Sequence, residues 1–114
     1  MVELVVVNRF RVDETEADAF RRDAHAALAA LGERPGYAGG HVGRNVDEPD
    51  LWLLTTTWAN VGSYRRALSS YDVKLTAVPL LSRAVDEPSA YETVGDGSDE
   101  NGPWTNVQVP RELR

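Results

Sequence analysis

Cysteine is absent from the chain. That excludes disulfides, thiolate nucleophiles and thiolate-bound zinc or iron–sulfur clusters. Secreted domains of this size commonly rely on disulfides, so the absence points to the cytoplasm. Histidine is scarce as well. His25 and His41 are the only two, and their spacing matches no metal-binding pattern, so no metal site is expected. Positive charge is in the minority: 12 Lys and Arg stand against 18 Asp and Glu, a formal net charge of −6. A nucleic-acid partner demands a basic face, so none is expected. The arginine groups (Arg9 with Arg11, Arg21-Arg22, Arg65-Arg66) read as solvated faces. Long apolar runs are missing too. The opening MVELVVVNRF has no basic stretch leading into a long apolar one. It reads neither as a signal peptide nor as a membrane span. Gly39-Gly40-His41-Val42-Gly43 is not a dinucleotide fingerprint, because a hairpin strand rather than a helix follows it. No serine sits in a nucleophile-elbow context.

What remains is one domain's worth of chain, 114 residues with 42% apolar content. Such a domain buries a thin core and gains from association with a second copy. Residues 2–12 alternate in two tracks. Val2, Leu4, Val6, Asn8, Phe10 and Val12 share one face; Glu3, Val5, Val7, Arg9 and Arg11 share the other. Both tracks are partly apolar, which predicts a strand covered on both sides. Asp13 with Glu16 looks like a capping box, and Phe20, Ala24, Ala27, Leu28 and Leu31 follow at helical spacing up to Gly32. The first helix is expected over 14–31.

A turn at 33–36 leads into a glycine-rich second strand from Tyr37, and Asp47-Glu48-Pro49-Asp50 predicts a hairpin turn. The third strand is expected over 51–58. Asn60 caps a second helix with Val61, Tyr64 and Leu68 on one stripe. A further helical stretch follows over 71–78, ending at Pro79. A last strand lies within 81–94, broken near Pro88. The order strand, helix, strand, strand, helix, strand is the α+β, split βαβ or ferredoxin-like arrangement. Its sheet has one face under the helices. The apolar second track of the first strand calls for a cover on the other, and a second copy of the chain is the simplest one. Residues 1–94 form the expected domain. Residues 95–114 open as a Gly/Ser/Asp-rich linker and end in a stretch around Trp104 that either docks on the partner subunit or stays disordered.

Five residues are candidates for a site. Asn8 interrupts an apolar track, as a structural cross-link or as a pocket polar group. Trp58 ends the third strand, as core or as a ring that stacks on a substrate and donates its indole N–H. His41, on a track read as Tyr37, Gly39, His41, Gly43, is an interface histidine or a base with room left around it by the glycines. Tyr64 and Tyr71 each either pack in the core or carry a hydroxyl into the space between helix and sheet. His25 lies off the apolar stripe of the first helix and reads as surface.

Asn8 in the first strand, Pro35-Gly36-Tyr37 before a glycine-rich strand, and Leu54-Thr55-Thr56-Thr57-Trp58 followed by a helix with Tyr64 resemble the antibiotic biosynthesis monooxygenase family over residues 2–94. The resemblance implies a homodimer whose two sheets pack into a dimeric α/β barrel, with a cavity between sheet and helices in each subunit. It also implies a cofactor-independent monooxygenase that uses molecular oxygen to oxidise a small or polycyclic aromatic, phenol to quinone. Asn8, Trp58 and His41 would then be catalytic, with Tyr71 a second choice for proton acceptor, and Tyr64 and Tyr71 would bind substrate. Leu54 stands where that branch has an asparagine. Asn8-Arg9-Phe10 also looks like the opening of the haem-degrading branch, but Ala67 and Ala77 stand where that branch has a tryptophan and an axial histidine, which argues against haem. The competing class is a non-catalytic small-molecule-binding or regulatory dimer, and a third is an isomerase or decarboxylase on the same barrel.

Overall fold

The computed structural model describes residues 2–96. Four strands form one antiparallel sheet: β1 (Leu4–Arg11), β2 (Tyr37–Arg44), β3 (Leu51–Trp58) and β4 (Ala90–Glu92). Their order across the sheet is β2-β3-β1-β4. Helix α1 (Ala17–Gly32) joins β1 to β2. Helices α2 (Val61–Leu68), α3 (Tyr71–Thr76) and α4 (Val78–Leu81) join β3 to β4. This is the ferredoxin-like arrangement expected from the sequence. No helix among the described residues is long and apolar enough to cross a membrane. The linker and tail expected beyond residue 96 lie outside the described residues.

The two tracks of β1 separate as predicted. Leu4, Val6 and Phe10 are buried and join the core, with Trp58, Thr56 and Trp52 opposite them on β3 and Phe20, Ala24, Ala27 and Leu31 of α1 in the same core. Val5, Val7, Leu51 and Leu53 stand outside that core, on the other face of the sheet, only partly buried.

The start of α1 differs from a full capping box. The Asp13 carboxylate accepts from the Thr15 backbone N–H at 2.9 Å and from the Thr15 hydroxyl at 2.8 Å. Those bonds hold its pKa below the ordinary 3.8. Glu16 does not reach back; residues Glu14–Glu16 form a 3-10 turn before the α-helix. The hairpin between β2 and β3 is closed by Asn45, whose side-chain oxygen accepts from the Asp47 and Glu48 backbone N–H groups, both at 2.8 Å. Asn60 caps α2 through Ser63 N–H at 2.8 Å. Pro79 does not end the second helical stretch. The break falls earlier, at Ala77, and Pro79 sits in the first turn of α4, where a missing N–H costs nothing.

β4 is shorter than expected. Proline at 88 donates no N–H, so the preceding segment touches β1 at only two backbone bonds, Val85 N–H to Arg9 and Val7 N–H to Ser89, both 2.7 Å. A bidentate ion pair reinforces it: the Arg9 guanidinium donates to both Glu87 carboxylate oxygens at 2.7 and 2.6 Å. That pair holds the Glu87 carboxyl below its ordinary 4.5.

Candidate functional site

One irregularity decides which side chains meet. β2 pairs Tyr37 with Trp58 and Gly39 with Thr57, so Ala38 is an extra residue, a β-bulge. Before the bulge, Tyr37 faces the helices with Trp58. After it, Gly40, Val42 and Arg44 face the helices, opposite Thr56, Leu54 and Trp52. Gly39, His41 and Gly43 face the other way, opposite Thr57, Thr55 and Leu53. The expected single track Tyr37, Gly39, His41, Gly43 is therefore split. His41 lies exposed on the outer face, away from Asn8 and Trp58. As a base in one cavity with Asn8 and Trp58 of its own protomer, His41 is misplaced; the inserted residue is the reason.

The space left by one β2 glycine, Gly40, is taken by Tyr37. Gly36 turns the chain with φ +91°, a conformation that disfavours a side chain. Tyr37 then lays its ring across Gly32, and a Cβ added at Gly40 would come within 2.6 Å of its hydroxyl oxygen. The ring meets Trp58 edge-on, with centroids 5.3 Å apart at 84°. Tyr64 from α2 approaches the same indole at 5.5 Å and 54°. Trp58 is thus flanked by two tyrosines. It is 0% exposed, and its indole N–H donates to the Thr56 hydroxyl at 2.8 Å. Donor and acceptor lie two residues apart on one strand face.

Burial raises the pKa of both tyrosines above the ordinary 10. At neutral pH their hydroxyls are protonated, so they are available as hydrogen-bond donors and do not act as bases. Asn8 shares the helix-facing side of the sheet but sits opposite Leu54, while Trp58 sits opposite Leu4. Four residues of strand, about 13 Å, separate the two levels. Asn8 is half-buried, and its side-chain amide has no hydrogen bond among the described residues. Tyr71 is 75% exposed on α3 and does not join the group.

Of the five candidates, the structure brings together Trp58 and Tyr64, places Asn8 farther along the same layer, and leaves His41 and Tyr71 outside it. Tyr37 and Thr56 were not singled out from the sequence. Thr56 carried a signal, a hydroxyl two residues before a tryptophan on one strand. Tyr37 did not: the glycines of the strand hint at a bulge, but not at its position between Tyr37 and Gly39, which puts Tyr37 on the side opposite Gly39 and His41.

A sheet of this order with helices on one face defines a ferredoxin-like domain. The family model for antibiotic biosynthesis monooxygenase matches residues 3–77, and the chain belongs to that family. It is similar in fold to SnoaB, a cofactor-independent oxygenase from Streptomyces nogalater, at 21% identity and a TM-score of 0.69, over 87% of this chain and 100% of that one. A conserved protein from Methanosarcina mazei aligns at 20% identity and a TM-score of 0.66, over 80% of this chain and 92% of that one. A protein from Shewanella oneidensis aligns at 12% identity and a TM-score of 0.65, over 81% and 91% respectively. Among curated proteins no match was found.

Proposed function

We infer that the protein is a cofactor-independent monooxygenase, working as a homodimer on a small or polycyclic aromatic substrate of the phenol-to-quinone type. The observation that carries this reading, beside family membership, is the Asn8 amide. It is a half-buried polar group on the helix-facing row of β1 with no hydrogen bond among the described residues. Its amide is reachable from solvent rather than sealed in the core, so an oxygen of an entering ligand can take its hydrogen bond. In the reaction, the ionised substrate gives electrons to molecular oxygen, a carbon–oxygen bond forms, and loss of water leaves the quinone. Both oxygen atoms are accounted for, one in product and one in water, and the electrons come from the substrate. The protein supplies orientation, desolvation and hydrogen bonds. Asn8 would hydrogen-bond a substrate oxygen or the reduced oxygen. Tyr64, half-buried beside Trp58, would donate its hydroxyl to the substrate. Trp58 would hold that tyrosine in place.

The dimer reading rests on the outer sheet face, where Val5, Val7, Leu51 and Leu53 lie outside the core. His41 would lie within that interface. Val7→Asp should yield monomers by sedimentation equilibrium.

The catalytic reading is tested by oxygen uptake with phenols and anthrones. Asn8→Ala should lower the rate about 10²-fold, the scale of one lost transition-state hydrogen bond. Trp58→Phe should lower it less. Unchanged rates in both variants would sink the assignment. A second reading, a non-catalytic small-molecule-binding dimer, is favoured by the complete burial of Trp58 and by the commitment of its N–H to Thr56. Saturable binding of the same phenols without oxygen uptake would decide for it.

A further inference from the structure

At the end of the sheet away from Trp58 lies a second aromatic group. Phe10 and Phe20 have centroids 5.0 Å apart, and Phe20 meets Trp52 edge-on at 5.3 Å. Trp52 and Trp58 are six residues apart on β3, about 20 Å. The Arg44 guanidinium lies over the Trp52 ring, 5.4 Å from its centroid. Arg9, Arg11, Arg21 and Arg83 each face a carboxylate. Arg44 has no ion pair among the described residues.

Three adjoining clefts share Arg44 and Trp52. In the one on the outer face the further cation is Arg9, already held by Glu87. In the one at the sheet's end, Glu14 and Asp50 stand beside Arg44 and repel an anion. The third, on the flank of α1, has a volume of about 240 Å³ and is lined by Arg21, His25, Val42, Gly43, Arg44 and Trp52. No carboxylate lines it, although the chain carries a net charge of −6. We propose that this flank cleft binds a small organic carboxylate, at a site separate from the stack around Trp58.

The geometry suits that ligand. Trp52 is 5% exposed and held by Phe20, so it gives Arg44 a fixed seat. A cation placed in advance loses little freedom on binding. The guanidinium's planar fork matches a carboxylate's two oxygens better than it matches a point anion. Arg21 adds charge, tempered by its bond to Asp18 at 2.8 Å. Most of the lining is polar, and Val42 with Gly43 supplies the small apolar part against which the body that bears the carboxylate can rest.

The test is calorimetric titration of the full chain with sodium benzoate, benzyl alcohol and inorganic phosphate. Benzoate should saturate at one per chain, with benzyl alcohol weaker by about tenfold or more because it lacks the charge, and phosphate, which the guanidinium fork also fits, weaker because it has no apolar body to set on Val42. Arg44→Gln should weaken benzoate about tenfold, and Arg44→Lys should restore part of the loss. Asp18→Asn, at an exposed position outside the core, should tighten benzoate two- to threefold, on the order of a surface charge effect. Failure of benzoate to saturate by about 10 mM, equal binding of benzyl alcohol, or an unchanged affinity in both Arg44→Gln and Asp18→Asn would overturn the proposal. Phosphate binding as tightly as benzoate would overturn the organic-carboxylate assignment.

Discussion

Replacing Gly40 by alanine tests whether the glycine-rich strand exists to seat Tyr37. A Cβ at this position would come within 2.6 Å of the Tyr37 hydroxyl oxygen, 2.8 Å of a Leu28 methyl and 3.0 Å of the Thr55 carbonyl oxygen. The methyl can swing aside. The carbonyl belongs to the β2–β3 ladder and cannot. The tyrosine can yield only by tilting off Trp58, giving up an edge-on contact worth about 0.5–1.5 kcal/mol. Overpacking of this kind costs about 1–3 kcal/mol, and the middle of that range, about 2 kcal/mol, is expected. For a domain of this size that is a fall in Tm of about 10 °C. Tyr37→Phe alone should be nearly neutral, within about 0.5 kcal/mol, because its hydroxyl has no hydrogen bond among the described residues. The double variant should recover about 1 kcal/mol of the loss, since the shortest clash is with the deleted oxygen. Urea denaturation of the four proteins gives the coupling directly. A neutral Gly40→Ala, or costs that simply add, would refute the account of how Tyr37 is seated.

Asn60→Ala should destabilise by about 1 kcal/mol, through loss of the cap on Ser63 N–H, and the urea midpoint should fall with no change in slope. Glu87 and Asp13 both have pKa values below their ordinary 4.5 and 3.8. Each therefore adds stability that is fully present above the ordinary value and is lost as pH falls through the lowered one. Midpoints measured down from pH 6 should drop below pH 4.5, and Glu87→Gln should flatten the upper part of that drop. In the oxygen-uptake assay, the rate should rise with pH along the ionisation of the phenol used, shifting when a more acidic phenol replaces it, because Tyr37 and Tyr64 remain protonated. A profile that stays fixed across phenols would point to a titrating protein group instead.

Much of the fold could be read from local signals. The third strand, 51–58, is a run of β-formers with a turn before it and a helix cap after it, and it appears with those bounds. The two tracks of β1 were visible because alternation is short-ranged. The break at Ala77 was not, since Val78-Pro79 satisfies helix chemistry on either side of the boundary. The candidate site was only partly legible. Trp58 and Tyr64 follow from their places at a strand end and on a helix stripe. The face of His41 was not legible, because assigning it required the pairing of two strands, a non-local fact. The same ignorance of register hid Tyr37 and the seat of Arg44 over Trp52.

The extra residue at Ala38 works as a parity switch. Positions 37 and 41 are both odd and in an unbroken strand would answer to one environment. With one residue inserted between them, the stretch before it is constrained by the aromatic stack and the stretch after it by the opposite surface, so each is free to vary without burdening the other. Deleting Ala38 would close the bulge and leave both faces as they are, because Tyr37 and His41 would then stand three positions apart in an unbroken strand, still on opposite sides of the sheet. The bulge can therefore be closed without turning any side chain over, whereas a residue inserted or removed elsewhere in the paired stretch would exchange the two faces beyond it.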